Sequence, residues 1–341
     1  MEGDDFTGDI RILGIETSCD ETAAAIVADG CFVLSNVIFS QIDVHRVFGG
    51  VVPEIAARNH VGKIDRVVQM ALDEAGIGLA DISAVAVTHG PGLVGALLVG
   101  VNFAKGLAFG ANLPLIGVNH LEGHIASVYL ENAGFSPPFM TLIASGGHSH
   151  LVYVKDFTEF EILGKTVDDA AGEAFDKVAR SLNLPYPGGV EIDRLAKAGC
   201  AKSINFPRSR LGDSLNFSFS GLKSAVLNFL NSAKMKGEDI SPANIAASFQ
   251  EAVVEILVEK SLRACNLKDC GRLAVVGGVA CNSRLRALLA EKCAEAGIAL
   301  HIPKPVYCTD NAAMIAAAGF HRFKSGDFAD SSLNAVPGLR I

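Results

Sequence analysis

The chain has 341 residues, 50% of them hydrophobic and 19% charged, which carries about two domains and excludes intrinsic disorder. A net charge of −8 excludes a nucleic-acid binder held by bulk charge. Eight scattered cysteines without a C-x-x-C pair exclude a zinc knuckle or a thioredoxin motif and are expected as reduced thiols of a cytoplasmic protein.

Residues 1–9 are acidic and polar, the reverse of a basic signal-peptide start, and are expected as a flexible tail. A short apolar run at 10–15 ends in the polar turn ETSCDET, and 23–28 and 32–39 are further strand candidates. A helix with an early proline and a glycine stop is predicted over 53–76. Strand 83–88, helix 93–109, strand 115–118 and helix 121–130 follow. The uncharged stretch 90–104 stops at Lys105, short of the ~20 apolar residues a spanning helix needs, and is expected as a buried helix.

The same order then repeats. Strands are predicted at 140–144, 150–154 and 159–163 around the turn SGGHSH, and a helix at 170–182. After an insert come helix 244–265, strand 272–276, helix 283–296, strand 299–302 and helix 311–323. A duplicated β-β-β-α-β-α-β-α unit implies two mixed α/β lobes facing one another across a cleft. The expected lobes are 10–131 and 132–325, with a basic helical insert at about 186–240 and a C-terminal tail at 326–341. From Arg194 to Lys236 there are eight basic residues and one acid, Asp213, together with Phe206, Phe217 and Phe219. That pattern suits an RNA-contacting patch and, equally on charge alone, a solvated surface lobe.

Three glycine or hydroxyl turns at strand ends suit an anion. GIETSCDET (14–22) offers Thr17 and Ser18. IASGGHS (143–149) offers Gly146 and Gly147. VVGGVACNSRL (275–285) runs from strand through Gly-Gly into a helix start. A fourth, HGPGLVGALLVG (89–100), serves either phosphates or tight packing.

In VNHLEGHIASVY, His120 and His124 lie about 40° apart on a helix and can converge on one metal. Glu122 lies about 200° round from His120, so this helix supplies no peptidase base. Asp310, in YCTDNAAMIAAAG, is the candidate third ligand, expected at the N-cap of the last helix in the second lobe. Two imidazoles and a carboxylate suit Fe(II), Zn or Mn with positions left open for substrate. His148 and His150 flank the SGGHSH turn and are read as structural or substrate-contacting.

GIETSCDET, GGVVPEIAARNH, THGPGLVGALLVG, NHLEGH, ASGGHS, DDAAGEAFDK, YPGG, FSFSGLK, GGVACNSRLR and TDNAAMIA together closely resemble the TsaD family (formerly Gcp), in its bacterial form, over about 10–325. The resemblance implies a duplicated actin/hexokinase/Hsp70-like (ASKHA, ribonuclease H-like) α/β fold. It implies transfer of threonylcarbamoyl from threonylcarbamoyl-AMP to N6 of the adenosine next to the anticodon in tRNAs reading ANN codons. By motif, His120, His124 and Asp310 would hold one divalent metal, Fe2+ first, with Zn2+ and Mn2+ open. Ile143, Ala144, Ser145, Gly146 and Gly147 would contact the threonylcarbamoyl-adenylate. Asp176, Gly189, Asp193 and Asn282 would complete the nucleotide site.

AMP is a good leaving group, so no covalent nucleophile is required of Ser145 or Cys19. Glu16, as a base or partner of metal-bound water, and Ser145, on the substrate turn, are the candidate catalytic residues. Arg208, Arg210 and Lys223 are candidates for tRNA contact. A TsaB-like paralogue and a TsaE-like ATPase are the partners the resemblance implies, in the cytoplasm and without a membrane. The rival readings are an ATPase or sugar kinase of the same fold, a non-catalytic nucleotide-binding scaffold and, last, a zinc metallopeptidase. Against the kinase, GIETS lacks the Asp-x-Gly-Thr phosphate turn.

Overall fold

The structure, a computed structural model, describes residues 9–341. The tail expected at 1–9 lies, apart from Asp9, outside the described residues. The chain forms two compact units, one running up to Ser136 and taking in Thr309–Ile341, the other Pro137–Cys308.

The first unit opens with the antiparallel strands β1 (Arg11–Glu16), β2 (Glu21–Ala28) and β3 (Phe32–Ser40). Helices α1 (Ile42–Arg46), α2 (Pro53–Val61) and α3 (Ile64–Ala75) follow, then β4 (Ala84–Gly90), α4 (Val94–Ala111), β5 (Leu115–Asn119) and α5 (His120–Ala126). The sheet order is β3-β2-β1-β4-β5, with β1, β4 and β5 parallel. β1 and β4 are buried almost throughout, as strands covered on both faces must be, and their sequences are correspondingly continuous apolar runs. α3 buries Ile64, Val67, Val68, Ala71 and Leu72, the stripe of an amphipathic helix, and ends at Gly76 in the left-handed conformation, φ 68°.

α4 was expected to be buried, but only one face is. Ala96, Leu97, Gly100, Val101, Ala104 and Ala108 pack inward, whereas Val94 and Phe109 are 54% and 91% exposed. Its 18 residues are long and apolar enough to cross a membrane by length and composition.

The second unit repeats the order with β6 (Phe139–Ala144), β7 (Ser149–Asp156), β8 (Glu159–Lys165), α6 (Ala171–Ser181), α7 (Gly188–Ala196), α8 (Ser220–Lys236), α9 (Pro242–Leu267), β9 (Arg272–Val276), α10 (Ser283–Ala296), β10 (Ala299–His301) and α11 (Pro305–Cys308). Its sheet order, β10-β9-β6-β7-β8, is that of the first sheet read from the other end. In both, three antiparallel strands are followed by two parallel ones.

Two boundaries need correction. The last helix, α12 (Ala312–Ser325), belongs to the first unit, not to a lobe at 132–325. The reason is close packing. A Cβ on Gly14 of β1 would stand 2.3 Å from Ala312 O, and one on Gly319 would stand 2.5 Å from Ala86 Cβ. Only the small side chains of AAMIAAAG lie that close to a sheet. The segment 326–341 is likewise no loose tail. Ala329 N–H donates to Leu115 O at 2.8 Å, Val336 N–H to His89 O at 2.7 Å and Lys105 Nζ to Leu333 O at 3.1 Å.

The basic insert comprises α7, an irregular segment and α8. Its aromatics do not form an RNA-stacking face: Phe206, Phe217 and Phe219 are all buried in the core of the second unit. The irregular segment is held against α9 by Lys260, whose buried ammonium donates to Arg210 O, Ser214 O and Asn216 O at 2.6–2.8 Å.

Candidate metal centre and substrate turns

In the first unit, polar side chains collect where the parallel strands end. β1 ends at Glu16 and β4 carries Thr88 near its end. β5 ends at Asn119, whose side chain caps α5 by accepting from Leu121 N–H at 2.8 Å. His120 and His124 therefore project from the first turns of a helix fixed to the sheet. His120 Nε2 lies 3.5 Å and His124 Nε2 3.3 Å from Asp310 Oδ1. Two ligands of one ion at about 2.1 Å stand roughly 3.0–3.5 Å apart at ordinary coordination angles, so the spacing fits a single divalent metal. Among the described residues, this is the one group of three such side chains close enough to share an ion.

Asp310 does not cap the last helix, as the sequence suggested. Asn311 does, accepting from Met314 N–H at 3.0 Å, which leaves the Asp310 carboxylate turned to the histidines. It does so from within the first unit, not from the other lobe.

The electrostatics fit a cation. His124 is fully buried, its Nδ1 has no hydrogen-bond partner and its Nε2 stands against the Asp310 carboxylate, a position that a cation between the two would satisfy. His120 Nδ1 is held by Glu16 Oε2 at 3.0 Å and Ser18 Oγ at 3.2 Å. Donation to Glu16 puts the proton on Nδ1 and aims the Nε2 lone pair at Asp310.

Glu16 accepts further bonds from Thr88 Oγ1 at 2.6 Å and from Ser18 N–H. Burial pushes this carboxyl up, but His120 beside it outweighs burial and holds it below the usual carboxylate range. Burial likewise works against charge on His120. Glu16 and Asp310 overcome it and push that imidazole up to about 9, so protons occupy the site whenever a metal does not. Glu16 is thus an ionised, fully engaged partner of His120 and not a free base.

Glu122 points away, as the helical angle requires. Both its oxygens take hydrogen bonds from Arg322 of α12, at 2.6–3.1 Å. The motif that suggests a zinc peptidase has its glutamate committed to an ion pair. The HGPG turn also resolves. A Cβ on Gly92 would stand 2.6 Å from Ser18 O, and one on Gly100 would stand 2.3 Å from Thr17 Oγ1. Here the glycines serve close packing between two turns.

In the second unit the SGGH turn closes on itself. Ser145 N–H donates to His148 O at 2.8 Å, and Ser145 Oγ accepts from His148 N–H at 3.2 Å. Gly146 and Gly147 are exposed, with open space where a Cβ would stand. Ile143 and Ala144 are core residues of β6 and offer only backbone. Gly277, at φ 90°, brings the next turn against it, since a Cβ there would lie 2.4 Å from Ala144 O. Gly172 does the same from the start of α6, its Cβ position 2.6 Å from Ser145 O.

The TsaD family model, described as tRNA N6-adenosine threonylcarbamoyltransferase, matches residues 32–317. The chain is 58% identical over 334 residues to the tRNA N6-adenosine threonylcarbamoyltransferase of Clostridioides difficile (strain 630), covering 98% of this chain and 99% of that one. It is 56% identical over 333 residues to that of Clostridium botulinum (strain Kyoto / Type A2), covering 97% and 98%. The chain belongs to the TsaD family. It is a transferase that modifies tRNA. Its fold is of the duplicated actin-like type. The Acidaminococcus fermentans (R)-2-hydroxyglutaryl-CoA dehydratase component A shares it at TM-score 0.54 and 18% identity, over 92% of this chain and 98% of that one.

The remaining family positions gather around the starts of α7 and α10 in the second unit. Asp176 Oδ1 accepts from Gly188 N–H at 2.7 Å at the start of α7, where Gly189 is open. Asp193 Oδ1 accepts from Ser283 Oγ at 2.8 Å. Asn282 caps α10 through Leu285 N–H at 3.0 Å, and its amide donates to Gln250 Oε1 at 2.7 Å. Sequence reasoning missed Gln250, although a polar residue on the buried face of α9 was a readable signal. It also missed Thr88.

The three tRNA candidates already have acidic partners. Arg208 Nε lies 2.7 Å from Glu255, Arg210 Nε 3.0 Å from Glu259 and Lys223 Nζ 3.4 Å from Asp169. Only the Arg210 side chain, 65% exposed, stands well out in solvent.

Proposed function

We propose that the chain transfers threonylcarbamoyl from threonylcarbamoyl-AMP to N6 of the adenosine adjacent to the anticodon in tRNAs reading ANN codons. The observation that carries this reading is the His120–His124–Asp310 donor set, with Glu16 behind His120 and Glu122 turned away into an ion pair. That arrangement can hold and orient a ligand but supplies no hydrolytic base. An ATPase, a sugar kinase and a peptidase are not favoured.

The adenine N6 is a weak nucleophile, and AMP is a good leaving group. Positioning and charge stabilisation then carry the reaction, with no covalent enzyme intermediate. His120, His124 and Asp310 would hold one divalent metal, Fe2+ by preference, which supplies Lewis-acid polarisation and a fixed point for the threonyl end. Glu16 keeps the His120 proton on Nδ1. The exposed N–H groups of Gly146 and Gly147 would donate to a phosphate or to the developing oxyanion. Ser145 shapes that turn. The α7 and α10 starts, with Asp176, Gly189, Asp193 and Asn282, would receive the nucleotide. The target adenine leaves its stack to react.

A TsaB-like paralogue and a TsaE-like ATPase would assist in the cytoplasm. The exposed apolar side chains of α4, with Val61 beside them, support a protein partner there. Arg210 is the most open of the three cations proposed for tRNA. Arg210→Gln should weaken tRNA binding without changing metal content, and unchanged binding would remove this arginine from the interface.

The direct test incubates the chain, its paralogue and the ATPase with threonylcarbamoyl-AMP and unmodified tRNA, and reads nucleosides by mass spectrometry. Wild type should form threonylcarbamoyladenosine and His120→Ala should not. Product from both would leave the histidines without this role. Product from neither, with folded metal-loaded protein, would sink the donor assignment.

A further inference from the structure

Three consecutive residues at the start of α10 are each held by a side chain from another helix. Asn282 Nδ2 donates to Gln250 Oε1 of α9 at 2.7 Å. Ser283 Oγ donates to Asp193 Oδ1 of α7 at 2.8 Å. Arg284 donates to both oxygens of Glu251 of α9 at 2.6–2.7 Å. The Ser283 and Arg284 contacts anchor the helix start as a whole. The Gln250 contact acts on one group, the Asn282 amide.

The main chain sets the direction of that contact. Leu285 N–H can only donate, so the Asn282 atom it meets at 3.0 Å is the oxygen Oδ1. Nδ2 then faces Gln250, and the atom that receives it is Oε1. A contact at Oδ1 alone would let the amide turn about that point. A second contact at Nδ2 fixes its plane. With Oδ1 on the cap and one amide hydrogen on Gln250, one amide hydrogen is left uncommitted among the described residues. Asn282 therefore meets a ligand as a hydrogen-bond donor, in a direction that Gln250 sets.

Both side chains are buried, and a buried amide is costly unless paired. Around Gln250, α9 buries Ala246, Phe249, Val253, Val254 and Leu257, so an apolar side chain would suit its position for packing alone. The other polar side chains buried along α9 hold main-chain groups. Ser248 Oγ accepts from Ile204 N–H and donates to Cys200 O. Lys260 donates to three carbonyls, and Ser261 to Leu257 O. Among them, Gln250 is the one that holds a side chain of the second unit's helix starts.

We propose that Gln250 is a positioning residue for the transfer reaction, holding the Asn282 amide so that its uncommitted hydrogen meets an acceptor atom of the adenine nucleotide. This rests on the reading that the α7 and α10 starts receive that nucleotide. Gln250 acts through Asn282 and not by touching the nucleotide. What position 250 must supply is an acceptor facing Nδ2. Glutamate also supplies one, whereas leucine and alanine supply none.

The experiment measures AMP binding to the full-length protein by calorimetry, for wild type, Gln250→Leu, Gln250→Glu, Asn282→Ser and the double variant Gln250→Leu/Asn282→Ser. Serine keeps the helix cap and drops the amide. Gln250→Leu should raise the AMP Kd about tenfold, the weight of one hydrogen bond. Gln250→Glu should stay within about threefold of wild type. In the Asn282→Ser background, Gln250→Leu should add less than about twofold, because an effect that runs through Asn282 vanishes once its amide is gone. In the transfer assay, KM for threonylcarbamoyl-AMP should rise with the Kd while kcat holds. Gln250→Ala should match Gln250→Leu, and it stands in for that variant if leucine does not fold. Undiminished AMP affinity in Gln250→Leu, an equal loss in Gln250→Glu, or additive losses in the double variant would each overturn the proposal and leave the nucleotide site standing. Wild type that binds no AMP would instead sink the nucleotide reading, and the proposal with it.

Discussion

The two units share one strand order but furnish the ends of their parallel strands differently. The first places Glu16, Thr88 and His120 there, at the ends of β1, β4 and β5. The second places Ser145, Gly146 and Gly147 after β6 and Gly277 after β9. Topology explains why a site forms at these ends, since parallel strands leave a crevice beyond their carboxyl termini. Side-chain chemistry decides what the site takes. Imidazole and carboxylate suit a cation, whereas exposed backbone N–H groups and helix starts suit an anion. One duplicated framework thus carries a cluster that could hold a metal in one copy and, in the other, a glycine turn and helix starts whose chemistry suits an anion.

The sharpest way to break this comparison is to damage one unit and read the other. His120→Ala should remove bound metal and lower transfer on the order of 100-fold or more, with secondary structure retained. Gly277→Ala should do the opposite. Its φ of 90° and the 2.4 Å approach to Ala144 O make the substitution cost roughly 2–4 kcal/mol. Its melting temperature should fall while metal stoichiometry measured by atomic emission holds. Loss of metal from Gly277→Ala would mean that the units do not hold their ligands independently.

A smaller effect tests the support of the metal centre. Glu16→Gln keeps the shape of the side chain but removes the charge that fixes the His120 tautomer. Metal affinity should fall about 10–100-fold, as for other residues that orient a metal-bound histidine, with the fold unchanged. A competition titration with a chelating dye would read this, and an unaltered affinity would leave Glu16 a purely structural role.

Local features were legible in the sequence and long-range ones were not. The i,i+4 spacing of His120 and His124 and the outward angle of Glu122 follow from helix geometry alone, and both hold. The unit to which Asp310 belongs does not follow from anything local. It is set by α12 settling on Gly14 and Ala86, residues more than two hundred positions away. The choice of Asn311 over Asp310 as cap was invisible for a related reason, because both residue types cap helices. Phe206, Phe217 and Phe219 misled because aromatic content says nothing about which way a ring faces. Thr88 and Gln250 escaped because their partners, Glu16 and Asn282, lie on other elements.

The smallest effect concerns His150, which pairs with Ile143 across β6 and β7 beside the Ser145–Gly147 turn. Its Nδ1 is buried without a hydrogen bond. Burial first, and Lys165 second, lower the imidazole to about 4 from an ordinary 6.5. A histidine with a depressed folded value takes up its proton more readily in the unfolded chain. Its contribution is therefore neutral above pH 6.5 and destabilising as pH falls from there toward 4. At pH 5 the penalty is about 1–2 kcal/mol after allowance for partial solvent access. Other histidines titrate in the same range, so the measurement is a difference, the urea midpoint of wild type against His150→Gln at pH 7 and pH 5. The variant should lose less stability between the two. Parallel curves would mean that His150 protonates as easily folded as unfolded, and that water reaches the β7 side of the Ser145–Gly147 turn despite its burial.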